Sequence, residues 1–156
     1  RVTTQAKSLE KVDLNFTLVK VINNLKLSIG ESKAEIVFDK LPTIHADDCQ
    51  MVELFQNIIG NGIKYRGDKS PKIKITSSEH DNKWQFSVAD NGIGIEKQYF
   101  EKIFLMFQRL HTKNEYLGTG IGLAICKKII ERHSGELWVE SEVGEGTNYH
   151  FTIPMK

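Results

Sequence analysis

Tyr116-Leu-Gly-Thr-Gly-Ile-Gly-Leu-Ala-Ile125 is the stretch whose reading decides the fold. Gly118, Gly120 and Gly122 lead directly into an apolar-periodic run that reads as a helix. Glycines admit a ligand close to the backbone without Cβ clashes. The free N–H groups and the dipole of a helix start then favour an anion such as phosphate. Two further clusters lie upstream, Asp90-Asn-Gly-Ile-Gly94 and Asn57-Ile-Ile-Gly-Asn61. Together the three suggest a nucleotide site, which none of them would establish alone.

Working outward, residues from Ile121 to His133 form an amphipathic helix closed by Ser134-Gly135. Glu136 to Ser141 and Asn148 to Ile153 read as strands around a Gly144-Glu-Gly146 turn, with Pro154 ending the sheet. Lys72 to Ser77 and Trp84 to Ala89 alternate and are joined by a polar turn at Asp81-Asn82, which predicts an antiparallel pair. A helix is expected from about Cys49 to Tyr65, capped by Asp47 or Asp48, with Leu54, Ile58 and Ile59 inward. Leu9 to Leu14 alternates like a strand. Asn15 or Asp13 then caps a helix from about Phe16 to Ser28, stopped by Gly30. Ala34 to Phe38 and a brief segment near Ile44 read as strands, and Glu96 to Ile103 as a short helix. The polar stretch from Phe104 to Gly118 has no clear period, and a connection of that length reads as a lid or binding loop. The order of elements predicts one α+β domain, helices over a mostly antiparallel sheet.

A chain of 156 residues suffices for one domain that buries roughly 70% of its unfolded surface. The formal net charge of +1 gives no electrostatic ground for nucleic acid or an anionic membrane surface, so any phosphate binding must be local. No apolar run approaches the roughly 18 residues that span a bilayer. Cys49 and Cys126 stand far apart in no Cys-x-x-Cys pattern and read as reduced thiols of a cytoplasmic protein. The chain opens on Arg1 rather than Met, which reads as an excerpt or a processed product.

Asn57, Asn61 and Lys64, at i, i+4 and i+7, share one helical face. Carboxamide oxygens are hard donors that suit Mg²⁺, and a lysine beside them suits phosphate. The same row is also compatible with a plain solvated face. Against that, Gly60 and Gly62 each cost about 1 kcal/mol relative to alanine inside a helix, which a close neighbour would explain. Asp90-Asn-Gly92 is by itself a turn signal. Its functional reading is an ionised carboxylate that accepts from adenine's amine and has nothing to offer a guanine carbonyl. The glycine run matches neither a Rossmann fingerprint, which needs a preceding strand and wider spacing, nor a Walker A loop, which needs Lys-Ser/Thr.

The ordered set Asn57-x-x-x-Asn61-x-x-Lys64-Tyr65, Asp90-x-Gly92-x-Gly94, Phe104-x-x-Phe107 and Gly118-x-Gly120-x-Gly122 resembles the catalytic, ATP-binding domain of sensor histidine kinases. That family shares a superfamily with gyrase, Hsp90 and MutL. Phe107-Gln-Arg-Leu-His111 and Ile125-Cys-Lys-Lys look most like its phytochrome-like branch. The resemblance covers about residues 9 to 154 and implies a two-layer α/β sandwich (the Bergerat fold) with about three helices over a mixed, mostly antiparallel sheet. Residues 9–156 are then the catalytic domain and residues 1–8 the tail of a dimerisation hairpin.

The resemblance also implies roles. Asn61, with Asn57, matches the positions that hold Mg²⁺ between the phosphates of ATP. Lys64 matches a phosphate contact, Tyr65 an aromatic on adenine, and Asp90 the acceptor for its amine, with Gly92 and Gly94 beside it. Gly118, Thr119, Gly120, Gly122 and Leu123 form the segment whose backbone meets the phosphates. Phe104 and Phe107 match the hinge anchors of a mobile lid that spans Leu110 to Leu117. Arg109 falls where some members place an arginine on the γ-phosphate, and Thr147 supports the adenine end.

Gly62 departs from the alanine usual in the pattern. The phosphate-accepting histidine, which the family places on a separate helical hairpin, is absent. Only His80-Asp81 has the acceptor's acidic neighbour, and it falls in a predicted turn. The leading reading is therefore an ATP-binding module that donates the γ-phosphoryl to a histidine on another domain. Its expected partners are that dimerisation domain and a response regulator receiver. The isolated domain is expected to be monomeric, within a homodimeric parent. A gyrase-like ATPase would need a general-base glutamate where Asn57 stands. A docking module that had lost the chemistry would show decayed boxes, whereas Asn61, Asp90 and the glycines are intact.

Overall fold

The computed structural model describes residues 7–105 and 120–155. Phe107, Arg109, Gly118, Thr119, the lid segment expected between Leu110 and Leu117, and most of the expected hairpin tail lie outside the described residues.

The first strand, β1 (Glu10–Asp13), runs straight into helix α1 (Leu14–Asn24). Asp13 is its cap and accepts from the Asn15 N–H at 2.9 Å. Asn15, the other candidate cap, instead clamps the Leu41 backbone, accepting from its N–H and donating to its carbonyl, both at 2.9 Å. The predicted single helix to Ser28 is two helices: the chain breaks at Leu25, and α2 (Lys26–Ser32) follows. Gly30 does not stop it, because a glycine ends a helix where the backbone turns left-handed. The left-handed residue here is Lys33, at φ 59°.

After β2 (Glu35–Phe38) and β3 (Thr43–Ala46) comes α3 (Asp48–Lys64). Asp47 caps α3 by accepting from the Gln50 N–H at 3.0 Å. With Asp48 in the first turn and Lys64 in the last, charges of the right sign stand at both ends of its dipole. β4 (Lys72–His80) and β5 (Lys83–Asp90) form the predicted hairpin. Asp81 and Asn82 both take positive φ, 55° and 63°, as a two-residue turn of primed type requires. His80 is the last residue of β4, exposed beside Asp81.

The short helix expected over Glu96 to Ile103 is instead two 3₁₀ turns, Lys97–Tyr99 and Lys102–Phe104, whose bonds all run from residue i to i+3. That tighter winding ends with Ile103 and Phe104, adjacent in sequence, both in the core. Helix α4 (Gly120–Arg132) precedes β6 (Leu137–Glu142) and β7 (Gly146–Pro154). Ser134 supplies the left-handed residue after α4, at φ 63°. Gly135 is required for another reason, since a Cβ there would lie 1.8 Å from the Thr152 carbonyl oxygen.

The main sheet has the order β2-β4-β5-β7-β6, antiparallel except for the parallel pair β2/β4, and β1 with β3 forms a separate two-stranded sheet. Helices α3 and α4 lie on the sheet and α1 packs on α3, which gives the two-layer sandwich. Between the layers Phe55 of α3 meets Phe86 and Phe151 edge-on, while those two stack at 5.0 Å. Aromatic pairs of this kind add about 0.5–1.5 kcal/mol beyond burial.

The far end of α4 is tied to the start of α3 by His133. Its Nδ1–H donates to the Ile129 carbonyl at 2.8 Å, and Nε2 accepts from the Asp47 N–H at 3.1 Å. A proton on Nε2 would abolish that acceptor. Burial, opposed only in part by the Ile129 carbonyl, holds the imidazole below its ordinary value. The unfolded chain, with a histidine pKa of about 6.5, then takes up a proton that the folded chain refuses. Stability is full above about pH 6.5 and falls as pH drops toward the depressed folded value. The urea midpoint is therefore expected to be lower at about pH 5.5 than at pH 7.5, with a smaller drop in His133→Gln; equal drops would contradict this role.

Candidate nucleotide site

Three distant segments meet at the end of α3. On its ligand face Asn57 is half-buried, Asn61 is buried and Lys64 is exposed, with the Lys64 ammonium 5.5 Å from the Tyr65 ring centroid. The helix ends as the Tyr65 N–H donates to the Asn61 carbonyl at 2.9 Å. The Tyr65 carbonyl in turn accepts from the Ile93 N–H at 3.0 Å. A Cβ on Gly92 would come within 2.6 Å of that same oxygen, so the loop after β5 can lie against the helix end only with glycine there. Gly62 faces the sheet, where a Cβ would meet Ile73 at 2.9 Å and the Asp90 side chain at 3.2 Å. Its small size therefore serves close packing beside Asp90. Among the described residues Gly60 has nothing within 4 Å of a notional Cβ, so none of them accounts for it by packing.

Asp90 ends β5 between Ile73 of β4 and Thr147 of β7. Its Oδ1 accepts from the Gly92 N–H at 2.9 Å and the Thr147 N–H at 3.2 Å. Burial pushes the carboxyl above the usual carboxylate range, and the two N–H donors pull it partly back. Gly146, at φ 131°, passes so close that a Cβ would lie 2.0 Å from the Asp90 carbonyl oxygen. Behind this contact the Ser141 hydroxyl accepts from the Ile95 N–H at 2.8 Å and donates to the Gly146 carbonyl at 2.7 Å. With its only proton committed, it accepts from Thr147 Oγ1, 2.9 Å away. Sequence reasoning missed Ser141 and the Tyr65 carbonyl, because only the β6/β7 register and the turn of the chain bring them here.

The glycine segment reaches the site from α4. A Cβ on Gly122 would stand 3.5 Å from Asn57 Oδ1, an ordinary contact distance, so the start of α4 borders the amide row of α3. Gly120 begins the helix, and Leu123 and Phe104 are both buried in the core. Asp90 and Thr147 also line a cavity of about 750 Å³ with Ile95, Phe100 and Ser141. Asn57, Asn61 and Lys64 lie outside its wall. The two amides fit a hard divalent cation, being oxygen donors one turn apart with Gly122 of α4 bordering Asn57 Oδ1. Among the described residues, the one cluster of acidic and thiol groups able to hold a metal is Asp47, Asp48 and Cys49 at the opposite end of α3. There Asp47 is already bonded to Arg132 and to the Lys7 N–H.

Residues 46–156 match the model of the histidine kinase-, DNA gyrase B- and HSP90-like ATPases. The chain overlays the catalytic domain of histidine kinase ThkA with a TM-score of 0.80 and 31% identity, covering 96% of this chain and 97% of that one. It belongs to this family, as a histidine kinase catalytic domain. ThkA in complex with the response regulator TrrA matches over 95% of this chain and 42% of that one, at 29% identity and a TM-score of 0.75. Full-length ShkA in complex with AMPPNP matches over 94% of this chain and 31% of that one, at 30% identity and a TM-score of 0.80. The phytochrome-like protein Cph1 of Synechocystis is 53% identical over 99% of this chain, which spans 21% of that protein's length.

The close approach at Asp90 separates two glycines of one turn. Gly144, at φ 85°, has open space where a Cβ would go, whereas Gly146 does not. Gly144→Ala is expected to cost only its left-handed backbone, about 1–2 kcal/mol. Gly146→Ala must also displace the Asp90 carbonyl. Thermal unfolding should show a drop in Tm at least about twice as large for Gly146→Ala; equal drops would remove the steric argument.

Proposed function

We propose that this domain binds ATP with Mg²⁺ across α3, the loop after β5 and the start of α4, and donates the γ-phosphoryl to a histidine on a dimerisation domain outside this chain. The observation that carries the reading is the convergence of Asn57, Asp90 and Gly122, from three separate segments, around one end of α3. Asp90, ionised and held through Oδ1, accepts from the adenine amine, which selects adenine over guanine. The Thr147 N–H and the Ser141 hydroxyl behind it fix the orientation of that carboxylate. Tyr65 packs on the base, while Gly92 and Gly94 let the backbone approach it. Lys64 neutralises phosphate oxygens, and Gly120 and Gly122 open the backbone of α4 toward them, continuing Gly118 and Thr119. Held by Asn61 and Asn57, Mg²⁺ supplies charge neutralisation for a transfer that needs mainly positioning and electrostatics. The lid-anchor role of Phe107 and the γ-phosphate role of Arg109 rest on the family resemblance, both residues lying outside the described ones.

Direct hydrolysis lacks a base, because the Asn57 amide has no proton affinity near neutral pH and cannot take a proton from water. The acceptor domain and a response regulator receiver are the partners we infer, the latter supported by the likeness to the ThkA–TrrA complex. The parent protein is read as a homodimer and this isolated domain as a monomer. Among the described residues no helix is long and apolar enough to cross a membrane, which suits a cytoplasmic site of action.

Titration with a fluorescent ATP analogue tests the adenine assignment. Asp90→Asn is expected to lose at least about tenfold in affinity, since a hydrogen bond to a charged group is worth about 1.5–3 kcal/mol. Its preference for ATP over GTP should collapse as well. Binding equal to that of the unsubstituted domain would refute the role of Asp90. Steady-state phosphate release by the isolated domain should stay negligible; a rate comparable to that of dedicated ATPases would replace the transferase reading with hydrolysis.

A further inference from the structure

The far ends of the two site helices meet at one point of the chain. Asp47, which caps α3, is 1% exposed, and its Oδ2 accepts from the Lys7 N–H at 2.9 Å and from Arg132 Nη1 at 3.0 Å. Arg132, the last residue of α4, also donates to Gln50 Oε1 at 2.8 Å and, through Nη2, to the Lys7 carbonyl. Both backbone groups of Lys7 are thus held by one ion pair that is itself shared between α3 and α4. The Lys7 ammonium adds surface contacts with Cys49 and, at 3.4 Å, with Asp48, whereas the bonds to the buried Asp47 and to Arg132 are made by the main chain. Burial alone would raise the Asp47 carboxyl, but the Lys7 and Gln50 N–H groups and the Arg132 guanidinium outweigh it and hold it below the usual carboxylate range. Each charge also stands at the end of a helix dipole that favours it.

Ten residues separate Asp47 from Asn57 along α3, and ten separate Gly122 from Arg132 along α4, roughly 15 Å in each case. The two helices are in contact at Asn57 and Gly122 and again at this clasp. They therefore form a rigid frame between the amide row and the point where the chain enters the domain.

We propose that Arg132 and Asp47 are positioning residues for phosphoryl transfer. They fix the direction of the segment entering at Lys7, and with it the approach of the histidine-bearing domain to the γ-phosphate. The proposal rests on the transferase reading above, under which that segment leads to the acceptor. A guanidinium fork serves three acceptors in fixed directions, which an ammonium cannot do. Neither residue touches nucleotide.

The test uses the full-length kinase that carries this domain, with Arg132→Ala, Arg132→Lys and Lys7→Pro. The proline variant removes the Lys7 N–H together with the exposed ammonium and leaves the Asp47–Arg132 pair in place, so Lys7→Ala, which loses the ammonium alone, serves as its control and is expected to match the unsubstituted kinase. Histidine phosphorylation is expected to fall by about tenfold or more in kcat for Arg132→Ala and Lys7→Pro, the scale of a misplaced reactant, and less for Arg132→Lys. KM for ATP and the affinity for an ATP analogue should be unchanged. If the unsubstituted kinase forms phosphohistidine and Arg132→Ala and Lys7→Pro match it, the clasp proposal is overturned alone. Loss of nucleotide affinity in step with kcat would overturn it in favour of a merely structural role. An unsubstituted kinase that binds ATP and forms no phosphohistidine overturns the transferase reading and this inference together.

Discussion

One half-buried carboxylate organises the end of α3 and the loop after β5. Asp90 Oδ1 is the meeting point of the Gly92 N–H, from its own loop, and the Thr147 N–H, from the neighbouring strand. Without Asp90 those two donors would lose their partner, and the loop after β5 would lose its tie to β7. The constraint propagates in both directions. Gly92 must lack a side chain to lie against the Tyr65 carbonyl, and Gly146 must lack one to pass the Asp90 carbonyl. Gly62 must be small for α3 to come down over Ile73 and Asp90. Three glycines that look like separate turn or flexibility signals are thus one packing requirement around one half-buried acid.

The parts legible in the sequence are those governed by local rules. α3 follows from its apolar period and Asp47 cap, the β4/β5 hairpin from alternation around Asp81-Asn82, and the mostly antiparallel sheet under helices from the order of elements. What escaped depends on contacts between segments. Gly30 looks like a stop, yet the helix ends at Lys33, where a lysine accepts the left-handed conformation on the way into β2. Asn15 looks like a cap, yet its amide is committed to both backbone groups of Leu41. Glu96 to Ile103 has the composition of a helix, but Ile103 and Phe104 must both reach the core, and the chain winds tighter to do so. At the site, the family boxes pointed to Asn57, Asp90 and Gly122, while Ser141 carries no local signal. It is found only once β6 and β7 are in register.

The chemistry of the amide row follows from what asparagine cannot do. A glutamate at position 57 could hold a cation and also take a proton from water, and a site with both capacities would hydrolyse its nucleotide. Asn57 and Asn61 keep the oxygen donors and drop the base. On the proposed transferase reading, the phosphoryl group then needs a nucleophile delivered from elsewhere, and the domain acts as a donor whose output depends on the geometry of approach. That dependence gives weight to how the chain enters at Lys7, at the far end of the same two helices that border the amide row.

Asp90 also links ligand binding to folding. Burial disfavours its charged form, and two N–H donors compensate only in part, so the empty domain carries an acid held above its usual pKa. On the proposed reading, an adenine amine is a third donor to the same carboxylate. It favours the ionised form, and by linkage it lowers the free energy of the folded state in which that carboxylate is buried. A nucleotide bound as proposed would therefore stabilise this domain beyond the contacts it makes with the phosphate end, by relieving an electrostatic penalty already built into β5. Nucleotides that lack the amine keep the phosphate contacts and leave that penalty in place, so discrimination between bases and stabilisation of the fold arise from the same atom pair.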